Sequence, residues 1–154
     1  MDYKLKNKLS NVKLLVSDFD GVMTDGHVYV SEKGRECVKC SRKDGLGIEL
    51  LKKNGVEVTV LSKETNPVVK ARCQKLKIEC WQGISGGVGK VGILKEVLKT
   101  KKLDKKQICY IGDDINDIEV IKYVGVGVAV ADGHPLVKKV ADYITKASGG
   151  RHAI

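Results

Sequence analysis

Residues 12–21 read VKLLVSDFDG. The run at 12–16 is almost wholly apolar and stops at Ser17 and Asp18, which predicts a strand buried on both faces, as in a parallel sheet. The same pattern recurs outward along the chain. Strands are predicted at 56–61, 78–81, 107–111 and 126–130, with a short last one at 143–144. Helical stretches lie between them. The first, at 44–54, carries Leu46, Leu50 and Leu51 at helical spacing and ends in the stop signal Asn54-Gly55. Others are predicted at 65–76, where Pro67 sits in the first turn, and at 88–99, 116–123 and 135–140. Strands alternating with helices of about ten residues predict a three-layer α/β fold on a mostly parallel sheet. Residues 27–31 and 35–40 alternate around Lys33-Gly34 and read as a β-hairpin, an insertion at 27–41. With 147–154 read as a flexible tail, the whole of 1–154 is expected to be one domain.

Hydrophobic residues make up 42% of the chain, a composition that suits a packed core and excludes disorder as the general state. No apolar run is long enough to span a bilayer, and the basic N-terminal stretch lacks the apolar segment of a secretory signal, so a cytoplasmic location is the expectation. The net charge of +9 favours anionic partners. Nucleic acid is disfavoured, because one Phe and one Trp leave few stacking platforms and no recognition motif is present. Five cysteines do not make a disulfide framework. Cys37 and Cys40, three apart on an extended strand, should point to opposite faces, so a metal or redox role for that pair is not expected.

A parallel sheet binds its ligand at the carboxyl ends of its strands. The polar residues there are Asp18 and Asp20, then Ser62, then Asp113 and Asp114, from three different strands. Two carboxylates about 4 Å apart repel by roughly 4 kcal/mol at an effective dielectric near 20. A divalent cation or a shared proton has to offset that, and a cluster of hard oxygens suits Mg²⁺. Ser62 could donate a hydrogen bond to a phosphate oxygen. Lys90 follows a glycine-rich stretch, GISGGVGK at 83–90, but a phosphate-binding P-loop would need Gly at 84 and Ser or Thr at 91, where Ile84 and Val91 stand. Two readings of Lys90 remain: an exposed lysine after a flexible linker, or a cation that holds a phosphate and an acidic nucleophile together.

DFDGVMTDG at 18–26, Ser62 after its strand, Lys90 opening a helix and GDDIND at 112–117 resemble, in order, the four motifs of the haloacid dehalogenase superfamily of phosphatases. The stretches 26–58, 112–136 and the SGGR of 148–151 resemble its capless subgroup acting on 3-deoxy-2-ulosonate phosphates, both octulosonate 8-phosphate and nine-carbon 9-phosphates. The resemblance implies a Rossmann-like fold with a hairpin in place of a cap domain. It implies that Asp18 is a nucleophile forming an aspartyl-phosphate, that Asp20 is general acid and then base, and that Ser62 and Lys90 hold the transferring group. Asp18, the backbone carbonyl of Asp20, and Asp113 would bind Mg²⁺, with Asp114 and Asp117 supporting them. Thr24 belongs to the long form of the first motif and is expected near the substrate.

A short hairpin cannot roof a site, so the same resemblance implies a homotetramer in which neighbours close it, with Gly149-Gly150-Arg151 closing over a neighbour's site. Glu64, Arg72 and Lys75 are read as one helix face matching sugar-binding positions of a nine-carbon (KDN 9-phosphate) phosphatase, which tilts the expected substrate that way. Three departures stand out. The second motif reads Ser-Lys-Glu without a glycine, Gly89 stands where relatives often have Asp, and the loop before Lys90 is longer, which could shift that lysine. Two rival functions remain at this stage. One is a non-catalytic assembly module like the C-terminal domain of sialic-acid cytidylyltransferases, to which the intact Asp18/Asp20 pair is superfluous. The other is a phospho-accepting signalling domain, against which an acid two residues past the nucleophile argues.

Overall fold

The computed structural model describes residues 3–83 and 89–154. In chain order the elements are α1 (Tyr3–Ser10), β1 (Leu14–Ser17), β2 (Tyr29–Val30), β3 (Glu36–Cys37), α2 (Arg42–Lys53), β4 (Glu57–Leu61), α3 (Pro67–Leu76) and β5 (Glu79–Trp81). They continue with α4 (Gly89–Lys101), β6 (Ile108–Gly112), α5 (Ile118–Tyr123), β7 (Val126–Ala129), α6 (Pro135–Val140) and β8 (Tyr143–Ile144). Six strands form one sheet in the order β5-β4-β1-β6-β7-β8, and each of its pairings is parallel. The chain steps outward from β1 through β4 to β5, then returns to the other side of β1 for β6, β7 and β8. Connections on the two sides of β1 therefore diverge, which leaves a crevice at the carboxyl ends of β1 and β6.

Each central strand feeds both layers, as a doubly covered sheet requires. Leu14 and Val16 of β1, with Ile108 and Tyr110 of β6, pack against Leu94, Val97 and Leu98 of α4 and against α5 and α6. On the opposite face Val58 and Val60 of β4 meet Ile48 of α2 and Val69 and Cys73 of α3. Cys109 and Ile111 of β6 and Val126 and Val128 of β7 meet Leu5 and Leu9 of α1. Helix α1 escaped the sequence reading because two leucines one turn apart, in a lysine-rich stretch, are too weak a periodic signal. Among the described residues no helix is long and apolar enough to cross a membrane.

Several expectations need correction. In α2 the side chain that enters the core is Ile48, while Leu46 and Leu50 are exposed (63% and 61%). The hairpin is paired over only two residues a side, Tyr29 with Cys37 and Val30 with Glu36. Cys37 is exposed and Cys40 half-buried. Residues 147–154, expected as a flexible tail, lie packed on their own chain. Gly150 N donates to Val22 O (2.9 Å), Gly149 N to Asp132 Oδ1 (2.9 Å) and Ile154 N to Asp44 Oδ1 (3.0 Å), and Ser41 Oγ meets His152 Nδ1 at 2.8 Å.

Candidate active site

Asp18 continues the last rung of β1: its N–H donates to Ile111 O of β6 at 2.9 Å. The chain then turns around Phe19, whose side chain is fully buried in the core and whose carbonyl accepts from Met23 N (2.9 Å) and Thr24 N (3.1 Å). Gly21 closes the turn at φ +76°, and a side chain there would collide with the Asp113 carboxylate, so only glycine lets the two acidic loops approach. Thr24, expected at the substrate, is instead fully buried. Its hydroxyl accepts from Gly21 N (3.2 Å) and Gly26 N (3.1 Å) and lies 3.5 Å from Asp20 Oδ1, so it shapes the loop and orients Asp20.

The second loop follows β6. Gly112 is open because the Asp117 carboxylate fills the space that its side chain would occupy. Asp114 caps a single 3₁₀ turn, Ile115–Asp117, with Oδ1 accepting from Ile115 N at 2.7 Å. That turn delivers Asp117, fully buried, beneath the site. Its Oδ1 accepts from Lys90 Nζ (2.7 Å) and Tyr110 OH (2.6 Å), and its Oδ2 from Asp113 N (2.9 Å) and Asp114 N (3.3 Å).

Lys90, in the first turn of α4, is buried. Its ammonium is held by Asp18 Oδ2 (2.6 Å), Asp117 Oδ1 (2.7 Å) and Tyr110 OH (3.1 Å). The longer loop before it has not moved this lysine away from Asp18. That loop, 84–88, lies outside the described residues. Burial alone would pull the Lys90 ammonium down, but the Asp18 and Asp117 carboxylates outweigh that and hold it above its ordinary range. Burial also pushes the Asp18 carboxyl up to about 7 against the pull of Lys90, and pushes Asp113 up to about 7, with Asp117 and Asp114 adding to it. Asp20 is raised by burial and then by Glu64. Tyr110 is kept neutral by burial and the surrounding carboxylates.

Carboxylate oxygens of Asp18, Asp113 and Asp117 lie within 4.8 Å of one another, with one ammonium among them. Three negative charges against one positive leave an excess that a divalent cation would relieve. Asp117 already accepts four hydrogen bonds, so the oxygens best able to take a cation are those of Asp18 and Asp113. Two of the expected ligands, Asp18 and Asp113, are in this cluster; its third carboxylate is Asp117, expected only as a supporting residue, and Asp20 is not in it. Asp18, Asp20, Ser62, Glu64, Asp113, Asp114 and Asn116 line a cleft of about 240 Å³. Ser62 is buried at the end of β4, its oxygen accepting from Glu64 N at 3.1 Å, and its proton can turn into that cleft. A second concavity of about 270 Å³ shares Asp20, Gly26 and Glu64 and runs on to Val28, Glu36 and Val38 of the hairpin and Asn66.

The expected sugar-binding trio is not one helix face. Asn66 caps α3, Pro67 is its first residue, and Glu64 lies in the loop before them. Glu64 reaches the cleft. Arg72 is half-buried and donates from Nη2 to Ser41 O at 2.7 Å, while Lys75 is exposed further along α3, and neither lines the cleft. Tyr110 escaped the sequence reading. Its signal was the strand alternation that puts it beside Ile108 on the face of α4, where Lys90 begins.

Residues 48–150 match the family model described as haloacid dehalogenase-like hydrolase. The 3-deoxy-D-manno-octulosonate 8-phosphate phosphatase KdsC of Escherichia coli is 36% identical over 96% of this chain and 77% of its own length. The crystal structure of a phosphatase of the same name from Yersinia pestis superposes with a TM-score of 0.94 at 35% identity, covering 99% of this chain and 82% of that one. The Moraxella catarrhalis phosphatase, solved in complex with magnesium, phosphate and KDO, gives a TM-score of 0.93 at 28% identity, covering 99% and 87%. Four motifs in order, a parallel sheet that brings them to one crevice, and a lysine seated on the first aspartate agree with these likenesses. The chain belongs to the haloacid dehalogenase-like hydrolase family.

Proposed function

We propose that this protein is a magnesium-dependent phosphomonoesterase acting on 3-deoxy-D-manno-octulosonate 8-phosphate by way of an aspartyl-phosphate on Asp18. The observation that carries the reading is the buried contact of Lys90 Nζ with Asp18 Oδ2 at 2.6 Å, within a cluster of carboxylates from two other loops. An oxygen of Asp18 attacks phosphorus as the ester P–O bond breaks. Asp20, whose carboxyl is raised above its ordinary range by burial and then by Glu64, gives a proton to the departing alkoxide. It then takes one from the water that attacks the aspartyl-phosphate, which releases phosphate and restores Asp18. Lys90 and the Ser62 hydroxyl hold the phosphoryl oxygens in line. Magnesium, held by Asp18, the backbone carbonyl of Asp20, and Asp113, would supply charge neutralisation between dianion and carboxylate.

The similarity to octulosonate 8-phosphate phosphatases supports the eight-carbon substrate. A nine-carbon 9-phosphate is the second reading, favoured by Glu64, which stands at the cleft. Lys75, which pointed the same way, does not. Val28, Tyr29 and Val30 of the hairpin are exposed (49%, 70% and 62%). An exposed apolar hairpin strand beside an open cleft supports a homotetramer in which a neighbour covers both.

The test is phosphate release with magnesium from octulosonate 8-phosphate, KDN 9-phosphate and N-acetylneuraminate 9-phosphate, for wild type and Asp18→Asn. The eight-carbon ester should turn over fastest and Asp18→Asn should be silent. Turnover that persists in Asp18→Asn defeats the mechanism. Absence of metal-dependent turnover on all three esters favours a non-catalytic assembly role.

A further inference from the structure

Gly149 and Gly150 are buried against the back of the loop that carries Asp20. A Cβ on Gly149 would overlap Gly21 O outright and lie 3.0 Å from Thr24 O. A Cβ on Gly150, already at φ +66°, would lie 2.6 Å from Asp25 N and 2.7 Å from Thr24 C. Two consecutive residues therefore have to lack side chains, and what they touch is backbone, which cannot swing aside. Gly21 in turn has its own Cα against the Asp113 carboxylate. The contacts stack from residue 149 through residue 21 to residue 113. The pair is pinned from both sides: Gly149 N donates to Asp132 Oδ1 (2.9 Å), Gly150 N to Val22 O (2.9 Å), and beyond them Ser41 holds His152 and Asp44 holds Ile154 N. These contacts engage the Thr24–Asp25 peptide, and the hydroxyl of the same Thr24 lies 3.5 Å from Asp20 Oδ1.

We propose that Gly149 and Gly150 are positioning residues that fix the Asp20 loop from behind, in the same chain, so that the segment 148–154 is a clamp on its own active site. The inference rests on the phosphatase reading for its effect on turnover, though not for its effect on the loop. Relieving the overlap at residue 149 requires a backbone shift of about 1 Å, and a displacement of that size at a catalytic group costs about 100-fold in rate. Substrate contacts along Glu64 and Ser62 come from other loops and are left in place, so the loss falls on kcat and not on KM.

The experiment compares Gly149→Ala, Asp132→Ala, Asp132→Asn and Gly55→Ala. It uses kcat and KM on octulosonate 8-phosphate at saturating magnesium, and hydrogen–deuterium exchange of the peptide spanning 19–26. Gly55→Ala is the control: its φ is +77° with nothing within 4 Å, so alanine strains the chain far from the loop. Expected are a kcat about 100-fold lower in Gly149→Ala with KM within about threefold, a smaller loss in Asp132→Ala, and wild-type kcat in Gly55→Ala. Asp132→Asn keeps the acceptor for Gly149 N and should restore kcat. Exchange across 19–26 should rise in the first two variants only. The clamp is overturned by equal kcat in wild type and folded Gly149→Ala, by equal losses in Gly149→Ala and Gly55→Ala, or by Asp132→Ala and Asp132→Asn behaving alike. If Gly149→Ala does not fold, the Asp132 pair decides. If wild type releases no phosphate, the phosphatase reading fails, and exchange at 19–26 alone decides the clamp.

Discussion

Replacing Asp117 by asparagine is the sharpest probe of the site, because one carboxylate holds both of its halves. Asp117 accepts from Lys90 and Tyr110 on Oδ1 and from the Asp113 and Asp114 amides on Oδ2. Asparagine has a single acceptor oxygen. If that oxygen stays with Lys90 and Tyr110, the amide NH₂ meets two backbone N–H donors; turned the other way, it meets an ammonium and a phenol. Either orientation loses two hydrogen bonds and sets donors face to face in a fully buried place. Charge-assisted bonds contribute about 1.5–3 kcal/mol each, so the expected loss is about 3–5 kcal/mol. That is a large part of the roughly 5–15 kcal/mol of a typical domain, but it leaves most molecules folded at low temperature. The same change frees Lys90 from one of its two anions and loosens Asp113, so kcat should fall about 100-fold. Urea unfolding gives the first quantity and phosphate release at saturating magnesium the second. A stability change under about 1 kcal/mol together with unchanged kcat would refute the hub, because the four contacts could not then be formed together in solution.

Tyr110→Phe removes two hydrogen bonds, one to Asp117 and one from Lys90, without leaving an orphaned charge, and should cost about 1–2 kcal/mol in urea unfolding and only a few-fold in kcat. Gly21→Ala combines a strained φ with a collision at Asp113, and should reduce turnover at least about 100-fold while leaving secondary structure by circular dichroism intact. In chelator, thermal stability should fall as pH rises from 5 to 8. Asp18 and Asp113 are raised from 3.8 to about 7, so the stability they contribute is complete below pH 4 and is lost as they ionise through 7; magnesium at pH 8 should restore the melting temperature. Glutamate at both Tyr29 and Val30 should shift the protein to monomer in sedimentation and lower kcat/KM about tenfold if neighbours roof the cleft.

The strand positions and the two acidic loops were legible because a buried parallel strand writes itself as an apolar run, and its end as the first polar residue after it. What failed to show was whatever depends on distant partners. Lys90 is marked by its place in the motif order, but its burial is not: that is set by Asp18, Tyr110 and Asp117, which lie 72, 20 and 27 positions away. Tyr110 sits inside ICYI and reads as plain core, although its hydroxyl completes the lysine's cage. The misplacement of Glu64 on a helix had a local remedy. Proline disfavours helical backbone in the residue before it, so Asn66-Pro67 marks a helix start and separates Glu64 from Arg72. Packing of the last residues was hidden for the opposite reason: Gly149 and Gly150 suggest looseness in a sequence, but here glycine is demanded by close approach to another backbone.

The charge distribution links these points to function. The chain carries +9, yet the cleft is lined by Asp18, Asp20, Glu64, Asp113 and Asp114 against Lys63 and the buried Lys90. A phosphorylated sugar acid is drawn in by the distant field and repelled at the last few ångströms. Lys90 cannot reverse that alone, since its charge is already shared between two carboxylates. On the proposed mechanism, approach of an anionic ester to Asp18 would need the charge neutralisation that a cation held by Asp18 and Asp113 would supply. Metal binding would then gate substrate entry as well as reaction, and raising magnesium is expected to lower the apparent KM before it stops raising kcat.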